Sequence, residues 1–170
     1  MNALRKNRLL TASLFSLMLG YAVSNTVVGP LIQPYIEQFH ISLSEAGLIA
    51  VSIGLGGFLA LTTGAFLMDR ARKSSMIRAT FSVYCVCLFA LSLAVSYAAL
   101  VLLFFLLGAG TRMLDAAMNA NIADLNPEKR GLYLNLLHAF FGAGSLIGPL
   151  FSAWLLERRL PPQHVFLVLG

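Results

Sequence analysis

The chain has 170 residues, of which 58% are hydrophobic and 11% charged, with a net charge of +5 and a mean hydropathy of +0.80. Soluble domains carry about 45–50% apolar and ~25% charged residues. A chain of this length cannot bury so much apolar surface in its own core, which excludes a soluble globular domain and points to lipid as the solvent. The basic residues fall in short clusters between apolar runs, as membrane topology signals do, and form no phosphate-binding face for nucleic acid.

Basic NALRKNR, apolar LLTASLFSLMLGY and then Ala22-Val23-Ser24 have the outline of a secretory leader. The apolar run continues past Ser24 to Pro34, so a first membrane span is expected over residues 9–34, with Pro30 near its far end. HISLSEAG reads as a short loop with Ser44 as the N-cap of the next helix. A second span is expected over 46–68, then the polar break DRARKSSMIR and a third span over 77–95. Cys85 and Cys87 lie in that third run, point in different directions on a helix, and read as small apolar filler.

A tight turn near Ser96-Tyr97 leads to a fourth span over 98–123. DLNPEKRG follows, with Pro127 and Gly131 as turn residues. A fifth span covers 132–156, ERRLPPQ closes it, and HVFLVLG begins a sixth. The predicted fold class is therefore an all-α membrane protein, an up-and-down bundle of five complete transmembrane helices plus the start of a sixth. A half-crossed helix leaves backbone groups unsatisfied in lipid, so the sequence is expected to be the N-terminal part of a longer protein.

Orientation follows from the cations. With the N-terminus inside, the cytoplasmic segments hold Arg5, Lys6, Arg8, Arg70, Arg72, Lys73, Arg78, Lys129 and Arg130, nine of the twelve. The outer loops hold Arg158 and Arg159, and Arg112 lies within the fourth span. The N-terminus is expected on the cytoplasmic side of a cell (inner) membrane.

Within the fourth span, Gly108, Arg112, Asp115 and Asn119 are spaced by four, three and four, which makes one helical stripe. A charge at membrane depth costs roughly 2.5–3.5 kcal/mol on insertion scales and so turns toward a bundle interior or a wet cavity. Two readings stand side by side: a structural Arg112–Asp115 pair, or the polar wall of a substrate path. Asn121 points elsewhere and is left out. In the fifth span Asn135, His138, Gly142, Ser145 and Pro149 form one face. Gly144 and Gly148 within FFGAGSLIGP have the small-xxx-small spacing of close helix packing, and His138 reads equally as an interfacial histidine or a site residue. Gly54, Gly56, Gly57 and Gly64 suggest a packing surface on the second span. Asn25 and Gln33, eight apart on the first, suggest one polar face or helix–helix hydrogen bonding. His40, His138 and His164 lie in different segments, and no metal-ligand cluster, phosphate loop or nucleophile constellation supports an enzyme or a cofactor.

ALTTGAFLMDRARKSSMIRAT resembles the cytoplasmic signature between the second and third helices of the major facilitator superfamily, with Asp69, Arg70 and Lys73 at its acidic and basic positions. Ala65 and Arg72 stand where glycines are usual. LDAAMNANIADLNPEKRGLYLNLLHAFFGAGSLIGP, and SEAGLI at the second span, resemble the fucose permease branch with its related glucose transporters. The resemblance covers about residues 20–149. It implies two six-helix halves with the solute between them at the midplane, so that this chain is the incomplete N-terminal half and the C-terminal half of the same protein is a partner.

It places Asp115 at the family's fourth-helix carboxylate, Asn119 and Asn135 at matching asparagines and His138 at a polar position, with Asn25 a further lining candidate. Asp69, Arg70 and Lys73 would form a conformational latch. Two departures accompany these matches. Gly29 stands where fucose permease has a second acid, and Arg112 adds a cation before Asp115. The implied function is alternating-access transport of a sugar or similar small polar solute, with a proton or sodium as the coupling ion. The alternatives are a drug or metabolite exporter of the same superfamily, which GSLIGP partly resembles, and a non-transporting membrane scaffold or truncated product.

Overall fold

Lipid offers backbone groups no hydrogen bonds, so long apolar runs must satisfy theirs internally. The computed structural model describes residues 3–70 and 73–169, and the regular elements among them are all helical. They are α1 (Ala3–Thr26), α2 (Val28–Phe39), α3 (Leu43–Arg70), α4 (Lys73–Ser92), α5 (Tyr97–Leu125), α6 (Arg130–Glu157) and α7 (Pro162–Leu169), with a 3-10 turn at Pro127–Lys129 between α5 and α6. Among the described residues five stretches are long and apolar enough to cross a membrane, the first, Asn7–Phe39, taking in most of α1 and all of α2.

That first span departs from the expected course. Pro30 cannot donate to the carbonyl of Thr26, and α1 ends at Thr26. Pro30 then falls in the first turn of α2, where a missing N–H costs nothing. The break therefore precedes both prolines, and α2 runs past Pro34 to Phe39. His40 closes it in the left-handed region (φ 52°), its N–H bonded to the carbonyl of Ile36.

Ser44 is not the cap of α3; Ser42 is. The Ser42 hydroxyl accepts the amide of Glu45 at 3.2 Å, and the Glu45 carboxylate accepts the Ser42 amide and hydroxyl, each at 2.7 Å. This is a reciprocal capping box, which Ser-x-x-Glu can build and Ser44 cannot. Ser42→Ala is expected to destabilise the bundle by about 1 kcal/mol. A thermal melt of the purified protein tests this, with Ser44→Ala as the neutral comparison.

α5 lies at the centre, packed between α3 and α4 and touching α1 and α6; α1 pairs closely with α6, and α7 lies on α4. Glycines set two of these approaches. A methyl added at Gly56 would collide with the carbonyl of Phe105, and one at Gly108 with that of Ile53, so α3 and α5 meet backbone to backbone. Gly144 and Gly148 meet α1 at Leu19, Ala22 and Val23 in the same way. Gly54, expected on the same packing surface, faces open space, as does Gly142 on α6.

The core between the helices is apolar and aromatic: Met18, Leu31, Tyr35, Ile49, Leu88, Phe104, Leu114, Met118 and Phe166 are buried. The Phe104 ring meets those of Tyr35 and Phe166 edge-on at 6.2 and 5.9 Å. Outward, Val51, Leu55 and Phe58 on α3 and Leu146 and Leu150 on α6 are more than half exposed. Such a surface suits lipid or another apolar partner, and it is too extensive for water. At the far end of α6 the Arg158 guanidinium lies 4.1 Å above the Trp154 ring, the amphipathic pairing typical of a membrane boundary.

Candidate functional site

Asp115 lies four residues past the middle of the 29-residue α5, a displacement of ~6 Å, and so at membrane depth. Its carboxylate is half-buried. The Asn119 amide, one turn on, donates to the Asp115 carboxylate at 3.1 Å and to its carbonyl at 2.9 Å. His138 of α6 and Arg112 act on the carboxylate through space, without a hydrogen bond to it.

The antiparallel course of α5 and α6 explains the convergence of Asp115 and His138. Counted from the connection, Asp115 is ten residues back from Leu125 and His138 eight residues on from Arg130, both some 12–15 Å in. Asn119 and Asn135 form the next level toward the connection by the same count. Asn135, His138 and Gly142 are exposed along one side of α6, while Ser145 turns back on its own helix, donating to the Phe141 carbonyl at 2.9 Å.

The expected stripe on α5 divides between two neighbours. Gly108 belongs to the α3 contact and not to the polar face. The stem of Arg112 crosses α3 at Gly57, where an added methyl would come 2.7 Å from Cγ. Arg112 is exposed, and of the two readings of the stripe the paired one is not seen among the described residues, where the Asp115 carboxylate is hydrogen-bonded by Asn119. Among the described residues, Arg112 and Asp115 therefore share an electrostatic field but no ion pair or hydrogen bond.

Asn25 is half-buried at the broken end of α1, and among the described residues no hydrogen bond joins it to the α5 cluster. Gln33 lies beyond the break, exposed and donating to Glu37 at 2.9 Å, so the two residues form no common polar face. Asn121 donates to the Ala117 carbonyl at 2.8 Å and lines a separate groove of about 350 Å³ with Leu10, Leu14 and Arg78. The backbone places Asp69 and Arg70 at the end of α3 and Lys73 at the start of α4. The side chains of these three latch candidates lie outside the described residues, as does Arg72.

Sequence reasoning missed a buried polar group behind Asp115. The Tyr21 hydroxyl donates to the Thr111 carbonyl at 3.3 Å, and the Ser24 and Tyr84 hydroxyls share a hydrogen bond of 2.8 Å. Their signal in the sequence is faint, since tyrosines and serines in an apolar run read as filler.

Long apolar antiparallel helices, a lipid-suited exterior and ionisable groups held at depth together define an integral, multi-pass membrane protein. The Major Facilitator Superfamily model matches residues 14–170, and the chain belongs to that superfamily. It is 24% identical over 143 residues to the sodium-dependent glucose transporter 1A of Mus musculus, covering 83% of this chain and 34% of that protein. It is 28% identical over 162 residues to the L-fucose-proton symporter of Escherichia coli (strain K12), covering 89% of this chain and 36% of that protein. The chain thus spans about a third of the length of these curated relatives.

Proposed function

We propose that this chain supplies an incomplete N-terminal half, five spans and the start of a sixth, of a secondary transporter that carries a sugar or a similar small polar solute by alternating access. The observation that carries the reading is the half-buried Asp115 at membrane depth, its carboxylate hydrogen-bonded by Asn119 and within electrostatic reach of His138 on α6. Carboxylate, amide and imidazole groups in that arrangement match the paired donors and acceptors of a polyol. Their placement on rigid helices favours a defined pose over loose adsorption.

Asn135 and Arg112 extend the same wall, and Asn25 lies nearer the opposite end of the path. The names of the two relatives support a sugar as solute and a proton or a sodium ion as the coupling ion. Asp115 is the group on which either ion would act. Asp69, Arg70 and Lys73 serve as the conformational latch between the second and third spans. The distribution of Lys and Arg supports a cytoplasmic N-terminus in a cell (inner) membrane. Gly144 and Gly148 of GSLIGP pack on α1, a role that suits either direction of transport.

The test is uptake of labelled D-glucose and L-fucose by the complete protein in vesicles, with and without proton and sodium gradients. Asp115→Asn is expected to lower uptake by about 100-fold, ~2.7 kcal/mol, and to remove its dependence on the ion gradient. Unchanged binding and unchanged gradient dependence in that variant would refute the assignment.

A further inference from the structure

One buried contact ties α1 to α5 directly behind the carboxylate. Tyr21 is 4% exposed, and its hydroxyl donates to the Thr111 carbonyl at 3.3 Å. In an α-helix that same carbonyl accepts the amide of the residue four later, here Asp115. The Tyr21 ring sits between Tyr84 of α4, at 5.6 Å, and Phe141 of α6, at 5.9 Å. Tyr84 is in turn held by Ser24, one turn along α1 from Tyr21. The Thr111 hydroxyl is buried with no hydrogen-bond partner. Among the described residues, Tyr21 is the side chain from another helix that bonds the 111–115 turn.

We propose that Tyr21 is a positioning residue for Asp115. Through the Thr111 carbonyl it sets the height and rotation of the turn that presents the carboxylate, and through its ring it sets the distance of that turn from α4 and α6. The ring alone fills space and tolerates small rotations; the hydroxyl supplies direction. Losing the hydroxyl while keeping the ring therefore leaves the core packed and lets the Asp115 turn shift against α6. This inference rests on the reading of Asp115 as a solute-contacting group.

The experiment uses the complete protein in lipid nanodiscs and compares Tyr21→Phe, Asp115→Asn, the double variant and Ser24→Ala. Two quantities are read: amide exchange across residues 111–119, and the Kd of whichever of D-glucose and L-fucose the parent binds more tightly. Tyr21→Phe is expected to speed exchange in that stretch by about ten-fold, equivalent to ~1.4 kcal/mol, with other helices unchanged. It is also expected to weaken sugar binding about five-fold, and to add nothing further in the Asp115→Asn background, because the two changes act through one turn. Ser24→Ala, which removes the bond to Tyr84 but leaves the Tyr21–Thr111 bond in place, is expected to change both readouts by less than Tyr21→Phe does. An effect of equal size would assign the tie to ring packing and overturn the inference.

Unaltered exchange over 111–119 in Tyr21→Phe overturns the inference. So does a binding loss equally large with and without the Asp115 carboxylate. If Asp115→Asn itself leaves sugar binding intact, the site reading fails, and the exchange measurement alone decides the role of Tyr21.

Discussion

Gly108→Val is expected to prevent the bundle from assembling, and Gly56→Val to do the same from the facing helix. Both positions sit where α3 and α5 touch through their backbones, and the atoms in the way are the carbonyls of Ile53 and Phe105. A flexible side chain moves aside at little cost; a helix carbonyl moves only with its helix. Overpacking a well-filled site costs about 1–3 kcal/mol, and with backbone as the obstacle we expect at least the upper figure.

Separating the two helices also strips α5 from the core it organises, since Phe104, Leu107 and Leu114 are buried on its other faces. Folded yield after detergent extraction, followed by thermal melting, measures the effect. Parental yield and melting temperature in Gly108→Val would show that the two helices do not cross there.

Gly54 and Gly142 supply the contrast. An added methyl meets nothing within 4 Å at either position. Alanine is favoured over glycine in a helix by about 0.8–1.0 kcal/mol. Gly54→Ala and Gly142→Ala are therefore expected to raise the melting temperature slightly. Gly142 lies on the exposed face of α6 with His138, so its alanine variant also reports whether solute approaches the backbone there: stability rises while sugar binding weakens.

These glycines show what the sequence makes legible. Gly54, Gly56 and Gly57 all stand out as small residues in an apolar run, but spacing along one helix does not reveal which side another helix will take. The class of the molecule was legible because lipid demands long apolar helices, a one-dimensional property. The shared face of Asp115 and Asn119 was legible because an i, i+4 relation is local, though the bond between them was not named by it. The Ser42–Glu45 box was equally readable, as Ser-x-x-Glu, and the choice of Ser44 overlooked it.

The α1 break was less so, since proline can end a helix or open one, and only the register of Thr26 to Pro30 separates the two. The parallel stack of Phe15 with Tyr133 and Phe140, at 6.3 and 5.0 Å, and the Tyr21 tie to Thr111 join residues about a hundred positions apart. Nothing local announces either one. Membrane depth likewise left two readings of Arg112 open, a pair with Asp115 or part of a polar wall, because side-chain direction is not written in the spacing; the structure gives the carboxylate's hydrogen bond to Asn119.

Arg112→Met is expected to lower transport about ten-fold or more, ~1.4 kcal/mol, with little change in melting temperature. A guanidinium at membrane depth carries a cost that a partner in contact can offset. Here the carboxylate takes its hydrogen bond from Asn119, while the Arg112 stem rests on α3 at Gly57 and its head remains exposed. The charge is therefore free to act on whatever occupies the adjoining space, and it raises the local potential at Asp115 and Tyr21 at the same time.

Mutual neutralisation and an independent role lead to opposite results in the double variant. If Arg112 served only to neutralise Asp115, removing both charges would restore the folded and functional state that either single change impairs, because no unpaired charge would be left in lipid. If each acts on the solute or the coupling ion, Arg112→Met with Asp115→Asn is no more active than Asp115→Asn alone. We expect the second outcome. Recovery of uptake in the double variant, measured in the same vesicles, would return the pair to a structural role.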